Sequence, residues 1–194
     1  MQREAWVDNL TDACGGDFSR VSFLDESGAV TNLVRTHGRS DCGERCVDSA
    51  PQGHWKIMTA VAAVRLDGLV APFTIDAAMD GEIFITYIEQ VLVPTLRAGD
   101  VVVMDNLSAH KRPQVVQLLA AAGATVMYLP PYSPDFNPIE MIWSKVKRLL
   151  RSFAARTIDA LHEAFGRAFA AVTTRDIAGC FRHCGYASPE GAPL

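Results

Sequence analysis

The sequence predicts one α/β domain in which a mixed sheet is covered by helices. The chain has 194 residues, of which 49% are hydrophobic, and this is enough for a single well-packed core. Its first half contains β-prone runs separated by turn residues, whereas its second half alternates helical periodicity with short apolar runs. We therefore expect an antiparallel meander that is followed by alternating helices and strands.

The first half is predicted to form the meander, after a short helix at residues 3–10 and a break at Gly15-Gly16. The predicted strands cover residues 20–25, 55–66 and 69–75, and residues 29–35 can continue as a further strand. Glu26-Ser27-Gly28 is expected to turn the chain after the first strand, and Asp67-Gly68 is a typical hairpin turn before the last one. Residues 36–53 are polar and glycine-rich, which predicts a long loop.

The second half is predicted to alternate helices with strands. Residues 100–104 (DVVVM) and 124–129 (ATVMYL) are continuous apolar runs, as expected of strands buried on both faces. The predicted helices cover residues 81–97 after the cap Asp80, 113–122, 139–151, a segment from the cap Thr157 to about 172, and one from the cap Thr174 to about 184. Pro94 is expected to disturb the end of the first helix. Residues 130–138 (PPYSPDFNP) predict a proline-stiffened loop.

A meander followed by helix, strand, helix, strand and helix is the element order of the ribonuclease H-like fold. We therefore predict a mixed five-stranded sheet flanked by helices, with further helices at the C-terminus. Residues 1–19 are expected to be a linker remnant or a short helix, 20–156 the main domain, and 157–185 a helical extension of that domain. Residues 186–194 are expected to be a loose tail.

Three acids occupy comparable places in this predicted fold. Asp25 and Asp105 each follow an apolar strand, and Glu140 lies in the first turn of the helix after the last strand. Sites in open α/β sheets collect where strands end, so we expect the three carboxylates to meet there. Their repulsion is acceptable only if cations offset it, and hard oxygen ligands favour Mg²⁺ or Mn²⁺. Two such ions can activate a water or a 3′-hydroxyl for in-line attack on a phosphate.

The segments around these acids are more distinctive than the acids themselves. They are FLDESG around Asp25, VMDNLSAHK around Asp105 and LPPYSPDFNPIEMIWSKVK around Glu140, with 34 residues between the second and third acids. Over about residues 21–151 they resemble the motifs of bacterial insertion-sequence transposases related to the mariner group, in the DDE superfamily. The resemblance implies that the three acids are a catalytic, metal-binding triad, with two Mg²⁺ (or Mn²⁺) ions when DNA is bound.

The activity that the resemblance implies is metal-dependent cleavage and strand transfer of DNA, which moves an insertion sequence. Two alternatives stay open. One is a different ribonuclease H-like nuclease, such as a hybrid-cleaving or junction-resolving enzyme. The other is an inactive remnant that serves only as a DNA-binding or dimerisation domain.

Polar and basic residues beside the triad are the candidate DNA contacts. Those that we predict are Asn106, His110, Lys111, Ser133, Asn137, Lys145, Lys147, Arg148 and Arg151. The first three match the Asp-Asn…His-Lys pattern of the transposases, which implies that His110 and Lys111 face phosphate near a helix start. Alternatively, Asn106 only makes a turn and Ser108 caps the helix. Alternatively, Ser133 and Asn137 do not contact DNA and only help to stiffen the loop that presents Glu140.

The composition limits the class of protein. The formal net charge of −4 argues against generic coating of nucleic acid, but residues 141–158 contain basic residues and no acid. We find neither a signal peptide nor a bilayer-length apolar run, so we expect a soluble, cytoplasmic, nucleoid-associated protein without membrane contact. The five cysteines are expected to be reduced, small buried hydrophobes. Zinc binding by Cys42, Cys46, Cys180 and Cys184 is the less favoured alternative.

The expected partner is double-stranded DNA, both transposon ends and target, and the resemblance implies homodimer assembly on it. Only 24 residues precede Asp25, which is too few for the helix-turn-helix module that finds the element's ends in such transposases. We therefore expect the chain to be a catalytic half, a truncated copy, or one product of a split or frameshifted gene whose helix-turn-helix half is encoded separately. We also expect that this chain alone binds DNA weakly and with little sequence choice.

Overall fold

A computed structural model describes residues 2–186 of the chain. The strands are β1 (Val21–Val30), β2 (Ile57–Arg65), β3 (Gly68–Ile75), β4 (Val101–Met104) and β5 (Thr125–Tyr128). They form one sheet in the order β3-β2-β1-β4-β5, in which the pairs β1–β2 and β2–β3 are antiparallel and the pairs β1–β4 and β4–β5 are parallel. The helices are α1 (Gln2–Ala13), α2 (Gly81–Tyr87), α3 (Pro113–Ala121), α4 (Pro138–Phe153), α5 (Ile158–Ala170) and α6 (Thr174–His183). This architecture confirms the predicted ribonuclease H-like fold.

The first strand is longer than the sequence predicts. Glu26-Ser27-Gly28 does not turn the chain and residues 29–35 do not form a separate strand, because β1 continues without a break to Val30. The reason is tertiary: β2 pairs with β1 as far as Val30↔Ile57, and this ladder satisfies the backbone groups of the whole strand. Asp25 therefore lies within a strand instead of following one.

The sheet separates two hydrophobic clusters, because successive strand residues point to opposite faces. On one face, Val101 and Val103 of β4 pack with residues of α1, α4, α5 and α6. On the other face, Val102 and Met104 pack with residues of α2 and α3. Both faces of the central strands are therefore covered, which explains why continuous apolar runs mark them in the sequence.

The two ends of the described chain pack against the same face of the sheet. Trp6 of α1 is buried, and its Nε1 donates to the Tyr128 carbonyl at 2.7 Å. Tyr186 is also buried, and its hydroxyl donates to the Phe136 carbonyl at 2.7 Å. The N-terminal segment is thus part of the core and not a linker, and the predicted loose tail is wrong at Tyr186. The remainder of that tail, 187–194, lies outside the described residues.

The helix after β3 ends earlier than predicted. α2 stops at Tyr87, and the chain continues as a π-helical turn, Ile88–Leu92, and a 3₁₀ turn, Val93–Thr95. Pro94 explains the irregular end, because it lacks an N–H and its ring obstructs the carbonyl four residues earlier. No helix among residues 2–186 is long and apolar enough to cross a bilayer.

Side-chain caps fix the starts of several helices. Asp80 caps α2 and Thr157 caps α5, as predicted. The predicted cap of α6, Thr174, is wrong by one residue. Thr173 is the cap, because it and Asp176 bond each other's backbone N–H groups in a reciprocal capping box.

Candidate active site

Asp25 and Asp105 stand at the same level of neighbouring parallel strands. β1 and β4 pair in register from Val21↔Val101 to Phe23↔Val103. If the same register is extended two residues beyond Phe23↔Val103, Asp25 lies beside Asp105. Asp105 is the first residue after β4. Neighbouring strands are about 4.8 Å apart, so the two carboxylates extend from adjacent backbones.

Glu140 reaches the same place from α4. The loop before that helix contains a 3₁₀ turn, Pro134–Phe136, and Pro138 is the first residue of the helix. Proline fixes its own φ and restricts the residue before it, so the loop has few conformations available. Glu140 follows in the first helical turn, where the helix dipole favours a carboxylate, and it is exposed.

The three acids line one open cleft of about 440 Å³, which we call the acidic cleft. Its walls are the segment after β4, the proline-rich loop and the start of α4. Other lining residues that matter below are the polar Asn106, Ser133 and Asn137 and the exposed Leu107 and Tyr132. The fold therefore brings together three acids that are far apart in the sequence.

The backbone holds one carboxylate oxygen of each aspartate. Asp25 Oδ1 accepts from the N–H of Glu26 at 2.8 Å, and Asp105 Oδ1 accepts from the N–H of Leu107 at 2.9 Å. These local bonds limit the rotation of both carboxylates. Within residues 2–186, the second oxygen of each aspartate makes no hydrogen bond, so it is available to a ligand in the cleft.

The acidic cleft shifts the protonation of Asp25. Burial raises the pKa of this carboxyl, and the charges of Glu140, Asp105 and Glu26 act in the same direction. The backbone N–H of Glu26 opposes them, and the resulting pKa is about 7. A cation in the cleft would relieve this repulsion, and its binding would release a proton.

His110 lies buried behind Asp105. Its Nδ1 is 2.7 Å from Asp105 Oδ1 and its Nε2 is 3.1 Å from Glu26 Oε1, although the Nδ1–H is not aligned for a linear hydrogen bond. The imidazole packs on Phe84, with ring centroids 4.4 Å apart. Burial lowers the pKa of His110, but the two carboxylates outweigh burial and raise the pKa to about 9. His110 is therefore a cation between two carboxylates near neutral pH.

The contact between His110 and Asp105 makes the pKa of Asp105 differ from that of Asp25. Burial raises the pKa of Asp105, yet the contact with His110, the N–H of Leu107 and the charge of Lys111 outweigh it and lower the pKa below its ordinary value. Asp105 is therefore ionised under conditions in which Asp25 is partly protonated. The pair behaves as one fixed charge beside one titrating carboxyl.

Oxygen ligands and open space make the acidic cleft suitable for Mg²⁺ or Mn²⁺. Among residues 2–186, no group of three His, Cys, Asp or Glu side chains is close enough for all three to coordinate a single metal ion. The residues that could hold such ions are Asp25, Asp105 and Glu140, with water completing the coordination as is usual for Mg²⁺.

The cysteines do not behave as one group. Cys42 and Cys46 are exposed on the loop after β1, whereas Cys180 is half-buried and Cys184 is buried, and all four are free thiols. The prediction that these thiols are buried is wrong for the first pair, because they lie in residues 35–57, which are exposed throughout. Burial raises the pKa of Cys184 to about 12, so that thiol is protonated.

A second cleft of about 600 Å³ lies between α4 and the loop after β1, and we call it the basic cleft. Its basic lining residues are Arg35, His37, Lys145, Arg148 and Arg151. Glu140, Ser144, Arg148 and Arg151 follow one another at intervals of four, four and three residues, so they share one face of the helix. α4 therefore presents a carboxylate to the acidic cleft and guanidinium groups to the basic cleft.

A family model described as DDE superfamily endonuclease matches residues 20–162, which include both clefts and all three acids. The chain belongs to this DDE endonuclease family. Among curated proteins, no relative matches the sequence.

Solved structures share the fold of this DDE endonuclease. A paired-end complex of Mos1 transposase with the left transposon end has a TM-score of 0.70 at 15% identity, over 94% of this chain and 57% of that one. A Mos1 mariner paired-end complex with Mn has a TM-score of 0.66 at 15% identity, over 94% of this chain and 59% of that one. The Mos1 transposase catalytic domain with raltegravir and Mg has a TM-score of 0.63 at 13% identity, over 94% of this chain and 92% of that one. The present chain thus spans a little more than half of the longer Mos1 chains.

The DDE endonuclease buries three of the predicted DNA contacts, namely His110, Ser133 and Asn137. The expectation that His110 faces phosphate is corrected, because its ring is enclosed between Asp105, Glu26 and Phe84. The alternative for Ser108 is also wrong, because α3 begins after Arg112 without a side-chain cap. Ser133 lies in the loop before α4, and Asn137 is the N-cap residue of that helix, three residues before Glu140.

The other predicted contacts differ in their availability. Asn106 is exposed but donates to the Leu129 carbonyl, which ties the segment after β4 to the proline-rich loop. Lys145 is paired with Asp176 of α6, and Lys147 lines neither cleft. The Lys111 ammonium lies 5.5 Å from the centre of the Tyr128 ring. Arg148 and Arg151 are therefore the two predicted contacts that line the basic cleft without that pairing.

Sequence reasoning missed several residues at the two clefts. Glu26 was assigned to a turn, so its approach to His110 through a continuous β1 was not foreseen. Arg35 and His37 lie in a loop whose sequence gave no sign of its packing beside α4. Tyr132 had a weak signal, since it is one of two aromatic residues, with Phe136, between the prolines of the loop that presents Glu140.

Proposed function

We propose that this DDE endonuclease is a transposase catalytic domain that cuts and joins DNA strands with Mg²⁺ or Mn²⁺. The supporting observation is the convergence of three carboxylates in one cleft, where burial and then the charges of the neighbouring acids raise the pKa of Asp25 to about 7. Such repulsion is tolerated where a cation relieves it. Asp25, Asp105 and Glu140 are the proposed catalytic residues and metal ligands. Structural relatives include Mos1 transposase complexes with a transposon end and with Mn or Mg, which agrees with this proposal.

The chain's own residues have distinct proposed tasks. A pair of bound ions would supply the activation of a water or 3′-hydroxyl and the stabilisation of the leaving oxygen. Asp105 is steadied through one oxygen by Leu107 and His110, so its other oxygen keeps its direction towards the ligand. Glu140 comes from a proline-stiffened loop, which limits its conformations before the ligand binds.

The proposed DNA path runs from the acidic cleft into the basic cleft. Arg148 and Arg151 share a helix face with Glu140, and Arg35 and His37 line the same basic cleft. Their charges would neutralise backbone phosphates beside the scissile bond without reading sequence. Asn106 and Lys111 are further proposed contacts.

The proposal includes partners and boundaries. The proposed substrates are double-stranded transposon ends and target DNA, and the proposed partner is a second copy of this chain. We take residues 20–156 as the catalytic unit and 157–185 as its extension, acting in the cytoplasm. The Mos1 complexes carry a transposon end, and this supports the choice of DNA as substrate.

Nicking of a supercoiled plasmid by the full chain tests the proposal. We expect nicked product with Mg²⁺ or Mn²⁺ and none with EDTA. Asp105→Asn should abolish nicking, because it removes a ligand charge while keeping the shape of the side chain. Asp159→Asn is the matched control, because Asp159 is an exposed acid on α5, and it should nick as the wild type does. Metal-independent nicking, or full nicking by Asp105→Asn, would contradict the proposal.

The two alternatives predict different substrates. A hybrid-cleaving or junction-resolving nuclease should prefer an RNA–DNA hybrid or a four-way junction to duplex DNA, and the same chain can be assayed on all three. An inactive remnant should cut none of them and should show no carboxylate-dependent uptake of Mn²⁺. Our proposal expects cleavage of duplex DNA, with strand transfer of a pre-cut end.

A further inference from the structure

The proline-rich loop, residues 129–137 between β5 and α4, connects the carriers of two of the three acids. Just before the loop, Tyr128 pairs with Met104, the residue that precedes Asp105. Just after it, α4 begins, and Glu140 lies in the first turn of that helix. The path of this loop therefore affects the spacing between Asp105 and Glu140.

One buried indole contacts both ends of this loop. The Nε1 of Trp6, in α1, donates to the Tyr128 carbonyl at 2.7 Å. The same indole stacks on the ring of Phe136, with centroids 5.6 Å apart and an interplanar angle of 10°. Phe136 packs against the hydrophobic core on the α4 side of the sheet, whereas most other residues of the loop line the acidic cleft. Trp6 thus separates the end of β5 from the start of α4 by a fixed distance, without lining the cleft itself.

A residue from the other end of the described chain reinforces this contact. Tyr186 is 1% exposed, and its hydroxyl donates to the Phe136 carbonyl at 2.7 Å. Its ring meets the Trp6 ring edge-on, with centroids 6.4 Å apart. Each of the two residues therefore combines an aromatic contact with a hydrogen bond to the backbone beside or within the loop, which fixes its geometry. We call Trp6 and Tyr186 the loop support.

We propose that Trp6 and Tyr186 are positioning residues, which set the spacing of the proposed metal ligands Asp105 and Glu140 for DNA cleavage. This role rests on the proposed function, because it assigns the loop support a task in that reaction. Mg²⁺ demands near-ideal octahedral geometry at short distances, so ligands from a strand end and from a helix must be held at a narrow range of separations.

The loop support lies outside the segment that carries the acids. Trp6 precedes β1 and Tyr186 follows α6, so both residues fall outside 20–185, the range of the proposed catalytic unit and its extension. Buried indole and phenol groups need hydrogen-bond partners. Both of these groups donate to the backbone that connects β5 with α4, and not to their own segments. Cleavage is therefore expected to depend on both ends of the described chain.

Two substitutions that keep an aromatic ring test this role in the full chain. Tyr186→Phe removes only the hydroxyl that donates to Phe136, and Trp6→Phe removes the N–H that donates to Tyr128. Each should slow Mg²⁺-dependent plasmid nicking at saturating DNA by about 10- to 100-fold, as is typical when a group that orients a metal ligand is lost. Affinity for duplex DNA should be unchanged, because neither residue lines a cleft.

Thr59→Val is the matched control for Tyr186→Phe. Thr59 also donates a hydroxyl to a backbone carbonyl at 2.7 Å, that of Ala77, and it lines neither cleft. Both variants should lower Tm by about 1–6 °C, the scale for one lost hydrogen bond, but Thr59→Val should nick at the wild-type rate. Rates are compared well below the lowest Tm, where each variant is folded. If Tyr186→Phe and Trp6→Phe also nick at the wild-type rate, the loop support is only structural and the proposed role is overturned.

Calorimetry with Mn²⁺ separates failure of the loop support from failure of the proposed function. Trp6→Phe combined with Tyr186→Phe should bind Mn²⁺ about 10- to 100-fold more weakly than the wild type. Equal Mn²⁺ affinity in the folded double variant would overturn the loop support and leave the proposed function standing. A wild type that binds Mn²⁺ but nicks no DNA would contradict the proposed function, and one that binds no Mn²⁺ would contradict both.

Discussion

The acidic and basic clefts adjoin one helix but are built in different ways. The aspartates of the acidic cleft lie on or directly after central strands, where backbone N–H groups and a buried His110 restrain them. The basic cleft is lined by side chains of a helix surface and a loop, and Arg148 is exposed there. One cleft concentrates like charge at fixed positions, whereas the other spreads charge over movable side chains.

Because the two clefts are built differently, they affect the stability of the fold differently. Burial of Asp25 and the like charges around it destabilise the metal-free fold when this carboxyl is ionised, and the raised pKa of Asp25 reflects that cost. Exposed cations on long side chains cost the fold almost nothing. We therefore expect the acidic cleft to govern chemistry at the expense of stability, and the basic cleft to govern DNA affinity without affecting stability.

Among the four comparisons of the two clefts, the largest effect should come from Glu140→Gln. Nicking should fall on the order of 10³-fold, the scale for losing one group that stabilises developing charge. Tm should not fall, because the side chain is exposed. Plasmid nicking and thermal unfolding measure the two quantities on one preparation. Glu163→Gln, at an exposed acid of α5, is the control, and equal nicking by the two variants would remove Glu140 from the site.

Asp25→Asn should reverse the usual effect of a mutation on stability. The pKa of Asp25 is raised from 3.8 to about 7, so the folded state favours the neutral form. Its contribution to stability is present below pH 4 and is lost as the pH rises towards 7. The variant should therefore exceed the wild type by roughly 2–4 kcal/mol at pH 8 without metal, and match it at pH 4. Urea unfolding in EDTA at both pH values gives the comparison, and equal differences at both would contradict it.

His110→Ala removes the contact that restrains Asp105 and leaves the three proposed metal ligands of the acidic cleft in place. Mn²⁺ affinity should fall about 10- to 100-fold, as is typical when a group that orients a metal ligand is lost. Calorimetry with Mn²⁺ measures this on folded protein. His162→Ala is the control, because His162 bonds Thr74 and lines neither cleft. If His110→Ala lowers Tm but leaves Mn²⁺ affinity unchanged, the histidine is only structural.

The smallest effect should come from the basic cleft. Arg148→Ala combined with Arg151→Ala should weaken binding to duplex DNA roughly 5- to 20-fold and reduce the salt slope by about 2, one per lost phosphate contact. The free energy of unfolding should stay within about 0.5 kcal/mol of the wild type. Arg97→Ala with Arg182→Ala removes the same charge from exposed positions outside the clefts. An equal loss of affinity in that control would mean that net charge alone acts.

The fold was predictable where the sequence pattern is regular. The apolar runs of β4 and β5 and the amphipathic periodicity of α4 each specify their own element. The continuous β1 was not predictable, because Glu26-Ser27-Gly28 favours a turn locally and only pairing with β2 keeps it extended. The same holds for Tyr186, whose burial depends on aromatic partners that are distant in sequence.

The candidate site was predictable in its acids but not in their surroundings. Asp25, Asp105 and Glu140 follow from strand and helix positions and from their motifs. The burial of His110 did not follow, since it depends on Glu26 reaching the same face of the sheet as Phe84. A motif indicates which residues are used, whereas only packing decides whether a residue meets DNA or supports a ligand from behind.

Titration of the full chain with Mn²⁺ by calorimetry tests the central claim most directly. The wild type should take up Mn²⁺, and uptake should be lost when Asp25→Asn, Asp105→Asn and Glu140→Gln are combined. Asp159→Asn should titrate as the wild type does. Mn²⁺ uptake that survives the triple substitution in a folded chain would contradict the assignment of the acidic cleft as the metal site.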